Sequence, residues 1–474
     1  MKFKLRQYQK DAVKAGLSIL DIKTKANKNG ILVLPTGAGK SLVIADIVAK
    51  SGKKTIVLQP SKEILEQNLS KIKAFGVKDI GIFSASMKEK TIGKITFATI
   101  GSVMKHQDKF ANFELIICDE CHLINSKGGQ YEKFINGIKK PTIGLTATPF
   151  RMRYYRDFKT DNLVVESKFL TRTRPRIFGK ILHITQVKDM FKGGFLCPVE
   201  YDCSDSYNSD EIQSNTTGQG YNDVSLSRYN INQGIVPQII IKTANSTSKH
   251  ILIFTHFRTE SADVISGLKR KGIDCVEISG KTKKKDREKI LADFKSGKAR
   301  CVVNVGVLTV GFDFPELDCV IIGRPMKSLA LFYQISGRGL RPADGKDSCK
   351  IIDLCDNVKR FGEVNSFSIE DVSDGKGMWR LKSNIGYLTG VDLVSGKDLE
   401  KSKKKNTKPA KTKRSAKKNN TETGGNIVIP FGKHAGTNLF DLDSGYLEWL
   451  SKNFDAGDWK DIFVIEVSRR AAIA

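Results

Sequence analysis

The stretch Leu34-Pro35-Thr36-Gly37-Ala38-Gly39-Lys40-Ser41 constrains this chain more than any other. An apolar run, Ile31 to Leu34, precedes it and an amphipathic segment, Leu42 to Ala49, follows it, so strand, glycine loop and helix succeed one another. That succession suits a polyphosphate. Gly37 and Gly39 let backbone N–H groups close around phosphate oxygens, and the N-terminus of the helix adds about half a positive charge. Lys40 can reach the outer phosphates, and the Ser41 hydroxyl can ligate Mg2+. Leu34 stands where the strict pattern of such loops has its first glycine. A bare Gly-Lys-Ser also occurs in ordinary loops, so the assignment depends on what the rest of the chain supplies.

The 474 residues suffice for two or three domains, each with its own core. A net charge of +28 predicts a polyanionic partner, most simply nucleic acid, bound with strong salt dependence. A merely soluble basic surface is the alternative. No apolar run approaches the ~20 residues needed to span a bilayer, and Met1-Lys2-Phe3-Lys4-Leu5-Arg6 lacks a signal-peptide core. An intracellular protein without a membrane partner is therefore expected. The nine cysteines are scattered, and those inside apolar runs, such as Cys118, Cys301 and Cys319, read as reduced, buried thiols. Cys118-Asp119-Glu120-Cys121-His122 has the spacing of haem attachment, but that chemistry needs an exported, accessible motif and this one ends a buried strand. No second cysteine pair completes a zinc site.

Along the chain, Leu5-Arg6-Gln7-Tyr8-Gln9 opens a helix to about Ile22. Taken alone it is an ordinary amphipathic helix, although the Gln9 amide, donor and acceptor at once, could read an adenine edge. From Ile31 to Phe150, β-branched runs alternate with helical patterns: Ile31–Leu34, Thr55–Gln59, Ile80–Phe83, Ile95–Ala98, Leu115–Cys118 and Ile143–Thr146. Such alternation predicts a doubly wound parallel sheet with ligands at the carboxyl ends of its strands. The glycine loop and Asp119-Glu120 both fall at such ends. There Asp119 can hold a hydrated Mg2+ and Glu120 can orient or deprotonate a water.

Between Arg151 and Lys180, nine Arg or Lys face three Asp or Glu, interleaved with Tyr154, Tyr155, Phe158, Phe169 and Phe178. That mixture suits backbone neutralisation and base stacking, with Arg151, Arg153 and Arg156 the first candidates, or else a solvated insertion. Asp202 to Gly234, rich in Ser, Asn, Gly and Asp, reads as a long connector or mobile loop. A second alternation begins near Gly234, with strands at Ile251–Phe254, Cys275–Ile278, Cys301–Val305, Val320–Ile322 and Cys349–Leu354, and ends near Gly362. It has no glycine loop, but Gln334-Ile335-Ser336-Gly337-Arg338-Gly339-Leu340-Arg341 sets two arginines one turn apart. Their planar donor forks can stabilise a transferring phosphoryl group. Residues 401–418, with ten Lys or Arg and no acid, read as a disordered basic tether. A small unit from about 425 to 474 follows. The expected division is thus 1–150, 151–233, 234–365, 366–424 and 425–474.

Taken together these residues resemble a superfamily-two helicase over about residues 1–365. Pro35 to Ser41 resembles motif I, Asp119-Glu120-Cys121-His122 the DECH form of motif II, Thr146-Ala147-Thr148 motif III, and Gln334 to Arg341 motif VI. The resemblance implies two RecA-like parallel-sheet domains in tandem, with ATP and Mg2+ between them. It implies that Pro35, Thr36, Gly37, Ala38, Gly39, Lys40 and Ser41 bind ATP, and that Lys40, Asp119 and Glu120 meet Arg338 and Arg341 from the second domain. His122, Thr146, Thr148 and Gln334 would couple the site to movement. Gly311 and Asp313, in Thr309-Val310-Gly311-Phe312-Asp313, resemble motif V, and Gln9 becomes an adenine reader. Pro60, Ser61, Thr99, Gly101, Ser102, Thr255 and Thr309 would grip a strand's phosphates, although Ser61-Lys62-Glu63 departs from the usual Thr-Arg-Glu.

Within the superfamily, Gly323-Arg324-Pro325, Gly337-Arg338-Gly339-Leu340-Arg341-Pro342 and Asp356-Asn357-Val358 look most like RadD-type and phage-encoded branch-migration helicases. That resemblance implies a monomeric, DNA-stimulated ATPase acting on forks or junctions, in a bacterial or phage setting, in cytoplasm or nucleoid. The 425–474 unit resembles a small domain appended to DNA enzymes, which transfers no function. An RNA helicase, a restriction-type motor subunit and a scaffold with a silent ATP site remain the rival readings.

Overall fold

The computed structural model describes residues 4–21, 29–157, 162–308, 312–393, 397–399 and 442–453. It forms two units, one of residues 1–214 and 218–403, the other of 215–217 and 404–474. In the second unit the helix Ser444–Asn453 buries Leu447 and Leu450, one turn apart. The expected basic tether lies outside the described residues, as do Thr309, Gly311 and Phe158.

The first sheet is built from β1 (Gly30–Val33), β2 (Thr55–Gln59), β3 (Ile80–Ser84), β4 (Glu89–Lys90), β5 (Ile95–Thr99), β6 (Leu115–Cys118) and β7 (Thr142–Thr146). β8 (Phe150–Arg156) and β9 (Leu163–Phe169) form a separate antiparallel hairpin. The chain then returns as β10 (Lys180–Ile184) to the edge of the first sheet, whose order is β10-β1-β7-β6-β2-β5-β3-β4. Only β4 runs antiparallel to its neighbour. Ile31, Leu32, Ile116 and Ile117 are wholly buried, because helices cover both faces of the parallel sheet.

The second sheet is parallel throughout: β11 (Val199–Cys203), β12 (Ile251–Thr255), β13 (Cys275–Ser279), β14 (Cys301–Val305), β15 (Cys319–Gly323) and β16 (Cys349–Asp353), in the order β11-β16-β15-β12-β14-β13. A three-stranded antiparallel sheet follows, β17 (Ser368–Asp371), β18 (Trp379–Ser383) and β19 (Gly386–Tyr387).

Two expectations change. The first lobe does not end at Phe150, since β10 closes its edge, and the second begins at β11 rather than near Gly234. Both strands are edges, covered less completely than the central ones, so their apolar signal is weak. The stretch Asp202 to Gly234 is not a long open connector either. It carries a 3₁₀ turn at Ser209–Glu211 and a helix at Asp223–Asn232, and its polar residues act as caps. Asn222 accepts from the Ser225 N–H at 3.0 Å, and the buried Tyr207 hydroxyl donates to Asn230 at 2.7 Å. The nine cysteines are free thiols, and Cys203 is the exposed one. Among the described residues no helix is long and apolar enough to cross a membrane.

Candidate active site

The glycine loop leaves the carboxyl end of β1 and enters the helix Lys40–Ser51, which we call α1. Gly37 and Gly39 sit at φ +84° and +75°, in the left-handed region that a side chain strains to adopt. A Cβ on Gly39 would also fall 2.6 Å from the Gln9 amide nitrogen, so the residue must be glycine on two counts. Gln9 is buried, donates to the Ala38 carbonyl at 2.9 Å and accepts from the Arg6 N–H at 2.9 Å. The Tyr8 hydroxyl donates to the same Ala38 carbonyl at 3.2 Å. Gln9 thus braces the loop and is not among the residues that line the cleft beside it.

That cleft has a volume of about 320 Å³ and is lined from both lobes. Lobe one contributes the loop with Lys40 and Ser41, the β6 end with Asp119 and Glu120, and the helix Lys62–Ala74, here α2; lobe two contributes Asp313, Gln334, Arg338 and Arg341. Thr36 and Gly337 touch so closely that a Cβ on Gly337 would stand 2.9 Å from the Thr36 Cβ.

The Lys40 ammonium is 2.8 Å from Glu120 Oε1, and His122 Nδ1 is 3.2 Å from Oε2. Burial opposes the charge on Glu120, but Lys40 and His122 outweigh it and hold the carboxyl well below its ordinary range. Asp119 behaves oppositely. Burial, and then the Glu120 charge, push it up to about 6 against the pull of Lys40 and of Asn68, whose amide donates to Oδ2 at 2.8 Å. Ser41 and Asp119 line the same cleft, and a hydroxyl and a buried carboxylate are the hard oxygen donors that suit Mg2+.

Burial lowers both Arg338 and Arg341 to about 10, which leaves them cationic at neutral pH. Arg338 donates to the Phe312 carbonyl at 2.6 Å, and Arg341 pairs with Asp313, which also accepts from the Gln67 amide at 2.8 Å. Across the cleft, Gln334 Nε2 meets His122 Nε2 at 3.0 Å. His122 Nδ1 lies 2.9 Å from the Thr146 hydroxyl, which accepts from the Thr148 N–H at 3.0 Å. With Gln334 donating, the imidazole carries its proton on Nδ1, facing Glu120 and Thr146.

The other candidates lie elsewhere. Ser61 caps α2 through the Ile64 N–H, beside the half-buried Pro60. Thr99, Ser102 and Ser84 form a hydroxyl cluster with 2.9 and 3.2 Å contacts, next to the open Gly101. Thr255 is fully buried and donates to the Phe257 carbonyl at 3.3 Å. Arg151, Arg153 and Arg156 all sit on β8. Arg153 faces the buried Glu166 across the hairpin and lies 4.7 Å over the Tyr155 ring, and Arg151 donates to the Leu123 carbonyl at 3.4 Å.

Sequence reading missed Asn68 and Gln67. A signal existed: the buried stripe of α2 runs Ile64, Leu65, Asn68, Leu69, Ile72, and an amide inside an apolar stripe needs a polar partner.

Two family profiles match the chain. "Type III restriction enzyme, res subunit" covers residues 2–151, and "Helicase conserved C-terminal domain" covers residues 234–343. A 51.5 kDa protein of a Lactococcus phage is 25% identical over 394 residues, 77% of this chain and 79% of that protein. The ATP-dependent helicase IRC3 of Saccharomyces cerevisiae is 25% identical over 378 residues, but the chain spans only 51% of its length. The ATP-dependent DNA helicase uvsW of phage T4 is 23% identical over 374 residues, 74% of this chain and 68% of uvsW. Among solved structures, a DNA-bound Type ISP restriction-modification enzyme, LlaBIII, shares the fold with a TM-score of 0.56 at 19% identity, over 75% of this chain and 28% of that one.

Proposed function

The chain belongs to the superfamily-two helicases, and we propose that it is a DNA-stimulated ATPase, a helicase or translocase that follows one strand as a monomer and remodels branched DNA. Lys40 and the loop from Pro35 hold the triphosphate of ATP. Ser41 and Asp119 would hold Mg2+, which when bound would neutralise charge on the phosphate oxygens. Glu120, kept ionised by Lys40 and His122, orients a water in line with the γ-phosphoryl group and takes its proton. Attack breaks the bond from the γ-phosphorus to the bridging oxygen and yields ADP and inorganic phosphate. Arg338 and Arg341 stabilise the charge on the transferring group from the opposite lobe.

The observation that carries this reading is the meeting of both lobes at one cleft, with the arginine pair on one wall, Lys40 and Glu120 on the other, and Gln334 bonded to His122 between them. Losing the triphosphate removes the ligand that joins the walls, so each turnover can reset one step. The net charge of +28 and the basic strand β8 support DNA as the track, with β8 meeting the duplex or junction.

A motor subunit of a restriction-type complex is the second reading, favoured by the profile over residues 2–151. Among the described residues, no cluster of acids, histidines or cysteines forms a metal site suited to a nuclease. A partner-dependent cleavage assay separates the two.

The direct test compares ATPase stimulation and strand displacement on single strands, duplexes, forks and four-way junctions, in DNA and in RNA. Forks and junctions of DNA are expected to stimulate most, and Glu120→Gln to abolish turnover while nucleotide still binds. Equal or greater stimulation by RNA overturns the DNA reading, and substantial hydrolysis by Glu120→Gln overturns the assignment of the base.

A further inference from the structure

A second cavity, of about 390 Å³, lies at the seam between lobe one and the turn joining β17 to β18. Its lining includes Arg172, Arg176 and Lys180 from the segment entering β10, and Lys376 and Trp379 from the β17–β18 hairpin. Asp371 is the single acid, and its carboxylate is spent on its own turn, accepting from the N–H groups of Ser373, Gly377 and Met378 at 2.9–3.0 Å and from the Ser373 hydroxyl at 2.6 Å. Among the described residues, Arg176, Lys180 and Lys376 enter no ion pair. These three cations outnumber the one carboxylate, and their mutual repulsion is relieved by a bound anion.

The cavity is remote from the ATP cleft. Lys180 pairs with Gly30, where β1 begins, whereas the glycine loop leaves the other end of β1 after Val33. The rims are a strand's length apart, roughly 10–15 Å at about 3.3 Å per residue. An anion there is not the triphosphate of the motor site. Trp379 supplies the second half of the chemistry, since an indole beside several cations suits a base attached to its phosphate.

We propose that this cavity is a second DNA site, which takes the phosphates of an unpaired strand on Arg176, Lys180 and Lys376 and a base against Trp379. The inference rests on the reading of the chain as a DNA motor and adds to it a place for a strand other than the one being tracked. Such a strand exists in forks and frayed junctions and is absent from a short single strand lying in the motor path.

The test uses the full chain carrying Arg176→Gln/Lys376→Gln, two exposed side chains, against a control, Lys269→Gln/Lys271→Gln, that removes the same charge from lobe two. The cavity pair should weaken binding to a fork with long unpaired arms by roughly tenfold near 0.1 M salt and flatten the log–log salt slope by about 1.5, as for two lost phosphate contacts. ATPase stimulation by a short single strand should not change. Fork DNA should quench tryptophan emission in the wild type, and Trp379→Phe should lose that quench. Unchanged fork binding, an equal loss in the control pair, or quenching by tripolyphosphate but not by DNA overturns the proposal. A wild type whose ATPase no DNA stimulates would refute the motor reading instead, so the two failures are distinguishable.

Discussion

Replacing Gln334 with Leu removes one amide while keeping most of the side-chain volume. In the structure that amide donates across the cleft to His122 Nε2 at 3.0 Å, and His122 is 7% exposed. Losing the donor strands a ring nitrogen with little access to water, which costs about 1–3 kcal/mol. The cost falls only on the closed arrangement, because in an open cleft water can reach the imidazole. The closing equilibrium should therefore shift by roughly 5- to 150-fold. Lys40 and the loop are untouched, so affinity for a fluorescent ATP analogue should stay within about threefold, while DNA-stimulated kcat falls by one to two orders of magnitude. A double-mutant cycle with His122→Ala sharpens the assay: if the contact is the cause, the double variant should be no slower than His122→Ala alone. Stimulated turnover within twofold of wild type, or losses that simply add, would refute the argument that closure runs through this bond.

Gly337→Ala should slow stimulated turnover by a similar factor for a steric reason. Gly337 has φ −61°, and an added Cβ would stand 2.9 Å from both the Thr36 Cβ and the Tyr333 carbonyl oxygen, an overpacking of about 1–3 kcal/mol. A thermal melt lowered by a few degrees, with reduced kcat, is the expected pair of readings. Asn68→Ala should weaken the Mg2+ dependence of hydrolysis several-fold at unchanged fold, because it deprives the Asp119 carboxylate of its 2.8 Å donor. Titrating Mg2+ against ATPase rate checks it. The same titration run at several pH values tests Asp119 directly. Its carboxyl is raised to about 6, so the metal-free protein is penalised at neutral pH and relieved as pH falls through that value, whereas Mg2+ needs the ionised form. Mg2+ affinity should therefore fall, by up to about tenfold per pH unit, below about pH 6. A flat profile between pH 5 and 7 would remove Asp119 from the metal site.

What could be read beforehand follows the range of each interaction. The central strands β1, β2, β6 and β12 are apolar on both faces because helices cover both, and that requirement is written in consecutive residues. The placement of the charged groups at their ends was equally legible, since Lys40, Asp119 and Glu120 each stand close in sequence to the strand that positions them. β10 was not. It is an edge strand whose pairing with β1 joins residues 150 positions apart, and Lys180–Ile184 has no burial strong enough to announce it. The contacts between the lobes are longer still in sequence, with His122 and Gln334 212 positions apart and Gln67 and Asp313 246 positions apart. No periodicity encodes a polar contact at such separations. Charge-bearing motifs reveal that Arg338 and Arg341 need an anionic partner, but an amide such as Gln9, Gln67 or Asn68 can serve a base, a carbonyl or a carboxylate equally well. With no Cβ on Gly39, the Gln9 amide closes on the Ala38 carbonyl. The identity of an amide's partner is thus a property of the assembled cleft, which is why the supporting amides had to be seen in place while the charges could be read in advance.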